Sequence, residues 1–231
     1  MNGQLRIPPT MMRNHFHHII TGIVLILLTP VAMLVLDHPI SQWAANHQPH
    51  SFFQEELWHY VMRFEVFGHF VGVILAVVAI FLLAPSNRQW LPRLVGVVVA
   101  SNMVATFFKS LVVRFRPRFF FHEDFTGHTQ TVWQSFDGME ILKSVFGDTA
   151  SFPSGHSAVA WSLALVLGWL YPQGCRFFVF LAIMVMVQRV LSSAHFPSDT
   201  FAGAAIGILI TSLLLPSREC MFVQEHQPDN G

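Results

Sequence analysis

Charged residues are scarce in this chain. Asp, Glu, Lys and Arg make up only 11% of its 231 residues, and the formal net charge is zero. Soluble domains carry roughly 25% charged residues, and nucleic-acid-binding domains carry a basic excess. With 53% hydrophobic residues, the composition indicates a membrane protein whose partner is the bilayer. It gives no indication of a nucleic-acid partner.

Cysteine is also rare. The two cysteines, Cys175 and Cys220, are too few for a framework of several disulfides. Neither stands near a second metal-ligating residue in the sequence. The cysteines therefore give no reason to expect a metal site.

Long apolar runs take the place of the missing charge. A bilayer core of about 30 Å requires roughly 20 residues of apolar helix, and six segments are predicted to span it. They are residues 19–36, 64–84, 91–113, 157–171, 177–191 and 201–215. The last three are short unless each helix extends into the polar motif beside it. That extension would place the motifs at one membrane face.

The segment between the first two spans is mixed polar and aromatic, with Trp43, Trp58 and Tyr60 among its rings. Such a composition is typical of a helix in the headgroup region. With no internal repeat and no second domain, the sequence predicts one all-α domain over residues 1–231. We expect an integral membrane bundle of six transmembrane helices, with an interfacial helical segment between spans 1 and 2.

The short loops at residues 85–93 and 171–176 carry arginine and no acidic residue. Basic loops favour the cytoplasmic side, so both termini are predicted to be cytoplasmic. Three polar motifs then share the opposite face: KSLVVRFRP at 109–117, PSGH at 153–156 and RVLSSAHFPSD at 189–199.

These motifs bring cations to the edge of the bilayer, where ionisable groups indicate a site. Lys109, Arg116 and Arg189 together suit a phosphate, because guanidinium groups match its oxygens. Ser154, Gly155 and His156 open an apolar helix, where free N–H groups bind anions. A plain helix cap is compatible with this role, since both use the same N–H groups.

Two histidines complete the pattern. His195 precedes Asp199 by four residues, so in a helix the carboxylate would lie one turn away and fix the imidazole tautomer. An oriented imidazole facing a phosphate is a plausible nucleophile. His156 is a candidate general acid for the leaving oxygen.

The order of these motifs resembles the type 2 phosphatidic acid phosphatase (PAP2) superfamily. The motifs are Lys109…Arg116-Pro117, then Pro153-Ser154-Gly155-His156, then Arg189…His195…Asp199, and they occupy about 90 residues within 109–199. The family usually has serine before the third-motif arginine. Gln188 stands there in this sequence, and we expect it to tune activity.

The resemblance implies a phosphatase that uses neither metal nor cofactor. By that resemblance His195 attacks phosphorus and forms a phosphohistidine, Asp199 orients it, and His156 protonates the departing alcohol. The phosphate oxygens would be held by Lys109, Arg116, Ser154, Gly155 and Arg189.

Four further ionisable residues have an open interpretation. Arg114 and Arg118 flank Arg116, and we interpret them as contacts to lipid headgroups, with direct phosphate binding as the alternative. Glu65 and His69 lie four residues apart on one face of the second span. We interpret them as a structural ion pair, with a place at the substrate entrance as the alternative.

The sequence therefore predicts a membrane hydrolase that removes phosphate from a lipid phosphate or lipid pyrophosphate. The expected location is the bacterial inner (plasma) membrane, with the active site on the non-cytoplasmic face and the loop at 118–150 covering it to select the lipid. Alternatives are a lipid-to-lipid phosphotransferase and a non-enzymatic lipid-binding or transport protein. A haloperoxidase with bound vanadate is disfavoured by the apolar spans. The sequence identifies neither the lipid nor the oligomeric state.

Overall fold

The computed structural model describes residues 9–47, 52–112, 114–120 and 151–215. The loop at residues 118–150, which is predicted to cover the site, lies almost wholly outside these ranges. Both ends of the chain also lie outside them. Within the described ranges all regular secondary structure is helical, which confirms the all-α prediction.

Nine α-helices are described, and three 3-10 segments lie between them. The α-helices are α1 Pro9–Val35, α2 Asp37–Asn46, α3 Phe52–Met62, α4 Phe70–Leu83, α5 Leu91–Leu111, α6 Pro117–Phe120, α7 Gly155–Leu170, α8 Cys175–Leu191 and α9 Pro197–Leu214. The 3-10 segments are Arg63–Gly68, Pro85–Trp90 and Pro172–Gly174.

Helix α7 is the centre of the bundle. Every residue of it is buried except His156, Trp161 and Leu170, because α5, α8 and α9 pack around it. Helix α1 lies on the far side of α9. A helix enclosed by protein on every side is apolar all round, which explains why α7 shows no polar face after its PSGH motif.

Helices α7 and α9 approach each other closely through two glycines. A Cβ on Gly203 would collide with the backbone oxygen of Ser154, and one on Gly207 would lie 2.5 Å from the oxygen of Ala158. Small residues four apart let helices in a membrane come together in this way. The contact fixes the start of α7, which carries PSGH, against the start of α9, which carries Asp199.

Four helical stretches are long and apolar enough to cross a membrane: Phe16–Val35, Pro85–Leu111, Pro172–Leu191 and Pro197–Leu214. A fifth crossing is possible if a bent helix pair counts as one span, and Gly155–Leu170 is a shorter apolar helix. The count of six spans therefore stays a prediction. Lipid contact explains why large apolar side chains such as Leu34 and Leu83 are more than 80% exposed.

The second predicted span, residues 64–84, is not one continuous helix. Trp58–Gly68 and Phe70–Leu83 are bent by 69° relative to each other. The break lies at His69, whose backbone is extended and whose Nδ1 faces the N–H of Val71 at the start of α4. The bend directs the 3-10 segment Arg63–Gly68 onto α7 and α8.

The described parts of the predicted interfacial segment form the helices α2 and α3. The side chains of Trp43 and Tyr60 are more than half exposed, as a headgroup position would require.

Candidate active site

The three polar motifs meet at one end of the bundle. The backbone N–H of Ser154 donates to the backbone oxygen of Asp199 at 2.9 Å, which joins the second motif to the third. The N–H of Ser151 donates to the oxygen of Arg114 at 2.9 Å, and that of Arg118 to the oxygen of Ser193 at 3.1 Å. These two bonds join the chain after α5 to the other motifs.

His195 is buried, and its Nδ1 lies 2.7 Å from the backbone oxygen of Ser151. A carbonyl oxygen only accepts hydrogen bonds, so Nδ1 carries the proton and donates it. In the neutral ring this tautomer leaves the lone pair on Nε2. The arrangement makes Nε2 the nucleophilic atom of the ring.

Asp199 does not hold the imidazole in the manner expected from a helical turn. Residues 192–196 are not helical, α9 begins only at Pro197, and the Oδ2 atom of Asp199 lies 3.7 Å from Nδ1 of His195. That distance exceeds a hydrogen bond. The Oδ2 atom accepts instead from the Ser151 hydroxyl at 2.6 Å and from the Phe196 N–H at 2.8 Å. Ser151 therefore links the two residues, since its backbone oxygen binds His195 and its hydroxyl binds Asp199.

The other oxygen of Asp199 pairs with Arg114, which is fully buried. Arg114 also pairs with Asp37 at 2.6 Å and donates to the hydroxyl of Ser198 at 2.8 Å. Its guanidinium carbon lies 4.1 Å above the centre of the Phe196 ring. The interpretation of Arg114 as a headgroup contact is therefore wrong, because a side chain held between two buried carboxylates cannot reach the lipid surface.

Asp37 extends this network to the first helix. Its Oδ1 accepts from the N–H of Ser198 at 2.9 Å, and its Oδ2 accepts from the Ser198 hydroxyl at 2.5 Å. An acidic side chain at the start of α2, directly after α1, thus caps the start of α9, where negative charge is favourable. Arg114, Asp37 and Asp199 form one buried charge network beneath His195.

A tight turn delivers His195 to this position. Helix α8 ends at Leu191 and is followed by Ser193, a buried residue with a positive φ of 51°. The N–H groups of Ala194 and His195 both donate to the oxygen of Arg189. A residue in the left-handed region commonly ends a helix in this way. The turn brings the backbone of His195 next to that of Arg189, at the end of α8.

The PSGH motif provides an anion-binding helix terminus, with one change from expectation. The hydroxyl of Ser154 caps α7 by accepting from the N–H of Ser157 at 3.3 Å, while the N–H of Ser154 is already used by Asp199. Among the described residues no acceptor takes the N–H groups of Gly155 and His156. These two groups remain available to an anion.

Lys109 and an amide come close to Gly155. A Cβ on Gly155 would lie 3.9 Å from the Lys109 Nζ and 3.2 Å from the Oδ1 of Asn102. Glycine therefore leaves room in front of two polar groups of α5. Asn102 was missed by the sequence analysis, since a single amide inside an apolar run carries no motif.

Within the part of the chain that the structure describes, no carboxylate pairs with Lys109 or Arg116. Burial lowers the pKa of Arg116, and the neighbouring charges of Arg118 and Arg189 lower it further. A cluster of like charges without a counterion is stabilised when an anion binds. Arg116 and Lys109 are therefore the cations that remain open for a phosphate.

Arg189 has partners of its own. Its Nη2 lies 2.6 Å from Oε2 of Glu65, and its Nε donates to the Oε1 of Gln188 at 2.6 Å. Gln188 stands where the family usually has serine. Its side-chain oxygen accepts this hydrogen bond and thereby fixes the position of Arg189.

The expected ion pair between Glu65 and His69 is not formed. Glu65 lies instead between Arg189 and His156, with Oε1 3.4 Å from the His156 Nε2. The His69 ring stacks against that of His156, with centroids 5.7 Å apart and an angle of 26°. The bend at His69 is the reason, because it breaks the helical register that would have put Glu65 and His69 on one face.

The pKa of His195 falls to about 3, chiefly because the ring is buried. The charges of Lys109 and Arg116 lower it further, while Asp199 acts in the opposite direction. The ring is therefore neutral over the physiological pH range, which leaves the lone pair on Nε2 available.

A cavity of about 590 Å³ leads from this site along the bundle between α4 and α5. Its polar end contains Lys109, Gly155, His156, His69 and Asn102. The rest is lined by apolar side chains, among them Val73, Ile74, Val77, Val95, Val99 and Met103. The cavity thus joins a cationic end to an apolar groove.

The site residues named from the sequence all lie in this region: Lys109, Arg116, Ser154, Gly155, His156, Arg189, His195 and Asp199. The residues that sequence reasoning missed are those that hold them, namely Asp37, Ser151, Ser198 and Asn102. A buried acid at the end of an apolar span was the one available signal for Asp37.

Several known proteins are similar in sequence to the part of the chain that contains this site. A lipid A 1-phosphatase of Rhizobium johnstonii is 31% identical over 110 residues, which are 48% of this chain and 40% of the relative. A decaprenylphosphoryl-5-phosphoribose phosphatase of Mycobacterium tuberculosis is 29% identical over 147 residues, which are 63% of this chain and 71% of the relative. The chain spans about two fifths of the length of the lipid A 1-phosphatases it matches.

The fold has a solved counterpart. The crystal structure of a transmembrane PAP2-type phosphatidylglycerolphosphate phosphatase from Bacillus subtilis matches 85% of this chain and 93% of that chain. The TM-score is 0.58 at 19% sequence identity, so the likeness concerns the fold. With the apolar helices described above, these matches make the chain an integral membrane protein. The family model of the PAP2 superfamily matches residues 90–219, which are more than half of the sequence and contain every site residue named from the sequence, and the chain belongs to that superfamily.

Proposed function

We propose that this protein is a lipid phosphatase that transfers the phosphate of its substrate to His195 and then to water. The carrying observation is the hydrogen bond from Nδ1 of His195 to the backbone of Ser151. It leaves a neutral Nε2 lone pair beside two cations that no described carboxylate neutralises. A nucleophile and an anion site in one place are the minimum that phosphoryl transfer requires.

The residues divide the reaction between them. Lys109, Arg116, Arg189 and the N–H groups of Gly155 and His156 bind the phosphate oxygens and stabilise the charge of the transition state. Nε2 of His195 forms a bond to phosphorus as the bond to the lipid oxygen breaks, and His156 gives that oxygen a proton. Water then cleaves the phosphohistidine and releases phosphate. No step needs a metal ion.

The substrate class follows from the shape of the cavity. A groove that is apolar along α4 and α5 and cationic at one end fits an amphiphile with a phosphate head and a long hydrocarbon tail. The relatives' names, which refer to lipid A and to a decaprenyl phosphosugar, agree with such a substrate. We propose a lipid phosphate or lipid pyrophosphate.

The proposed orientation keeps the termini in the cytoplasm and the site on the opposite face of the bacterial plasma membrane. The arginine-rich, acid-free loops at residues 85–93 and 171–176 support it. The single domain at residues 1–231, and the selection of the lipid by the loop at 118–150, belong to the same proposal.

Trapping of the intermediate tests the proposed function. The purified protein, mixed with a ³²P-labelled lipid phosphate in detergent and quenched within seconds, should carry label that is stable in alkali and lost in acid, as for a phosphohistidine. The His195→Ala variant should carry no label and release no phosphate. The exposed His47 at the end of α2 provides the control, since His47→Ala should retain both. Label that persists in His195→Ala would contradict the mechanism.

The same experiment separates the hydrolase from a phosphotransferase. Free phosphate released without any acceptor lipid supports the hydrolase. A stable labelled enzyme that loses its label only when a second lipid is added supports transfer between lipids.

Activity should persist in EDTA and be inhibited by vanadate, which resembles the pentacoordinate transition state.

A further inference from the structure

Glu65 contacts two residues of the site from a span that carries none of the three motifs. Its Oε2 lies 2.6 Å from the Nη2 of Arg189, and its Oε1 lies 3.4 Å from the Nε2 of His156. Among the described residues no other carboxylate pairs with either partner. Glu65 is therefore the local negative charge for both.

The chain is bent to place Glu65 there. Glu65 belongs to the 3-10 segment Arg63–Gly68, beside the 69° bend in the second span. A Cβ on Gly68 would lie 2.7 Å from the backbone oxygen of His156 and 2.8 Å from Cγ1 of Val185. Glycine thus lets this segment rest directly on the residue that Glu65 faces. An unbroken helix would not place Glu65 in contact with both Arg189 and His156.

The surroundings of His156 explain what the carboxylate does. The groups that face its ring are Glu65, the ring of His69, and the positive charges of Arg189 and Lys109. Burial of the ring opposes a positive charge on the imidazole most strongly, and the two nearby cations oppose it as well. Glu65 is the one described group that opposes them, since an opposite charge within about 4–6 Å favours the charged form.

From this juxtaposition we infer that Glu65 is a positioning residue that aims His156 and favours its protonated form for leaving-group protonation. The inference rests on the proposed function.

In the first step the His195 Nε2–phosphorus bond forms and the phosphorus–oxygen bond to the lipid breaks. The lipid oxygen takes a proton from the His156 imidazolium, which becomes neutral. In the second step the attacking water gives a proton to His156, the phosphorus–nitrogen bond breaks, and both histidines return to their starting states. The Glu65 carboxylate stays ionised throughout.

Leaving-group dependence tests this role. An alkyl phosphate needs protonation of a basic alkoxide, whereas p-nitrophenyl phosphate releases a stable phenolate that needs no acid. Glu65→Gln should therefore lower kcat on a long-chain alkyl phosphate by about 10²-fold, the lower end of the usual effect of general acid catalysis. The loss on p-nitrophenyl phosphate should be less than about tenfold. His156→Ala should show the same selectivity.

Controls separate this role from a structural one. Glu56→Gln makes the same change at an exposed position on α3, and it should leave the rates on both esters unchanged. Glu65→Asp keeps the charge and should restore part of the alkyl phosphatase activity. Because Arg189 loses a competing carboxylate in Glu65→Gln, the KM for alkyl phosphate should not rise.

The outcomes are distinct. Equal losses on both esters, or no loss on the alkyl ester, overturn the inference about Glu65. A wild-type protein that releases phosphate from no lipid overturns the proposed function instead. If Glu65→Gln does not fold, as judged by size-exclusion chromatography in detergent, the comparison of both esters in Glu65→Asp decides: a loss selective for the alkyl ester supports the inference, and an equal loss overturns it.

Discussion

The backbone oxygen of Ser151 is the direct partner of His195, at 2.7 Å from Nδ1, while the carboxylate of Asp199 lies 3.7 Å away. Asp199 binds the same residue, since the Ser151 hydroxyl donates to its Oδ2 at 2.6 Å. The nucleophile is thus oriented by the residue that precedes the PSGH motif by two positions. That arrangement makes Ser151 a testable part of the site.

Replacing Ser151 by alanine should weaken catalysis without abolishing it. Ser151→Ala keeps the backbone oxygen that binds His195 and removes only the hydroxyl that ties it to Asp199. We expect kcat on a lipid phosphate to fall by about tenfold, because a buried hydrogen bond to a charged group contributes about 1.5–3 kcal/mol and only part of this acts in the transition state.

A larger loss, about 10²-fold or more, is expected for Asp199→Asn. The control is Thr21→Ala, which removes a hydroxyl bonded to the backbone oxygen of His17 on an exposed part of α1 and should leave kcat unchanged. A Ser151→Ala variant as active as the wild type would show that Asp199 acts on His195 without Ser151.

Removing Asp37 should destabilise the folded protein. Its carboxylate pairs with buried Arg114 and caps the start of α9, and loss of one partner of a buried pair costs about 3–5 kcal/mol. Asp37→Asn should therefore lower the melting temperature in detergent measurably. Arg63→Ala, a change at an exposed cation beside Tyr60, should leave it nearly constant. An unchanged melting temperature in Asp37→Asn would mean that Asp199 alone balances Arg114.

The pH dependence of stability should carry a contribution from His195. Its pKa is about 3 in the folded protein and about 6.5 in an unfolded chain, so only the unfolded chain binds this proton between those values. The free energy of unfolding should therefore decrease as the pH falls below about 6.5, by up to about 1.4 kcal/mol per pH unit from this residue. The folded protein thus becomes less stable in acid. The contribution is constant above pH 6.5.

Melting temperatures measured between pH 7 and pH 4 check this contribution. His195→Asn removes the titrating group, so its melting temperature should fall less steeply with acid than that of the wild type. His47→Asn at an exposed position should follow the wild type. Equal slopes for His195→Asn and the wild type would contradict a neutral, buried imidazole.

Narrowing the apolar groove should discriminate between substrates by their tails. Val99→Phe adds bulk to the α5 wall of the cavity, so we expect a KM for a long-chain lipid phosphate that is about tenfold higher. Hydrolysis of p-nitrophenyl phosphate, which has no tail, should be unaffected. Val78→Phe, on the same side of the bundle but outside the cavity lining, is the matched control. Equal effects on both substrates would indicate a distorted site rather than a blocked groove.

Sequence patterns predict the helical membrane architecture and the polar residues that gather at one end of the bundle. Apolar runs of span length have few alternatives to helix, because backbone groups in lipid must be satisfied within the segment. Closely spaced polar residues between such runs gather at a membrane face for the same reason. Lys109, Arg116, PSGH, Arg189, His195 and Asp199 were identified in this way.

The partners that hold those groups are visible in the three-dimensional structure alone. Arg114 and Arg116 are two residues apart and equally basic, yet Arg114 is buried between Asp37 and Asp199, while Arg116 pairs with no carboxylate in the described ranges. Glu65 pairs with Arg189, 124 positions away in the chain, and not with its neighbour His69. Such pairings depend on the bend before α4 and on the close approach of α9 to α7. Both are set by packing between distant segments, which local sequence patterns do not encode.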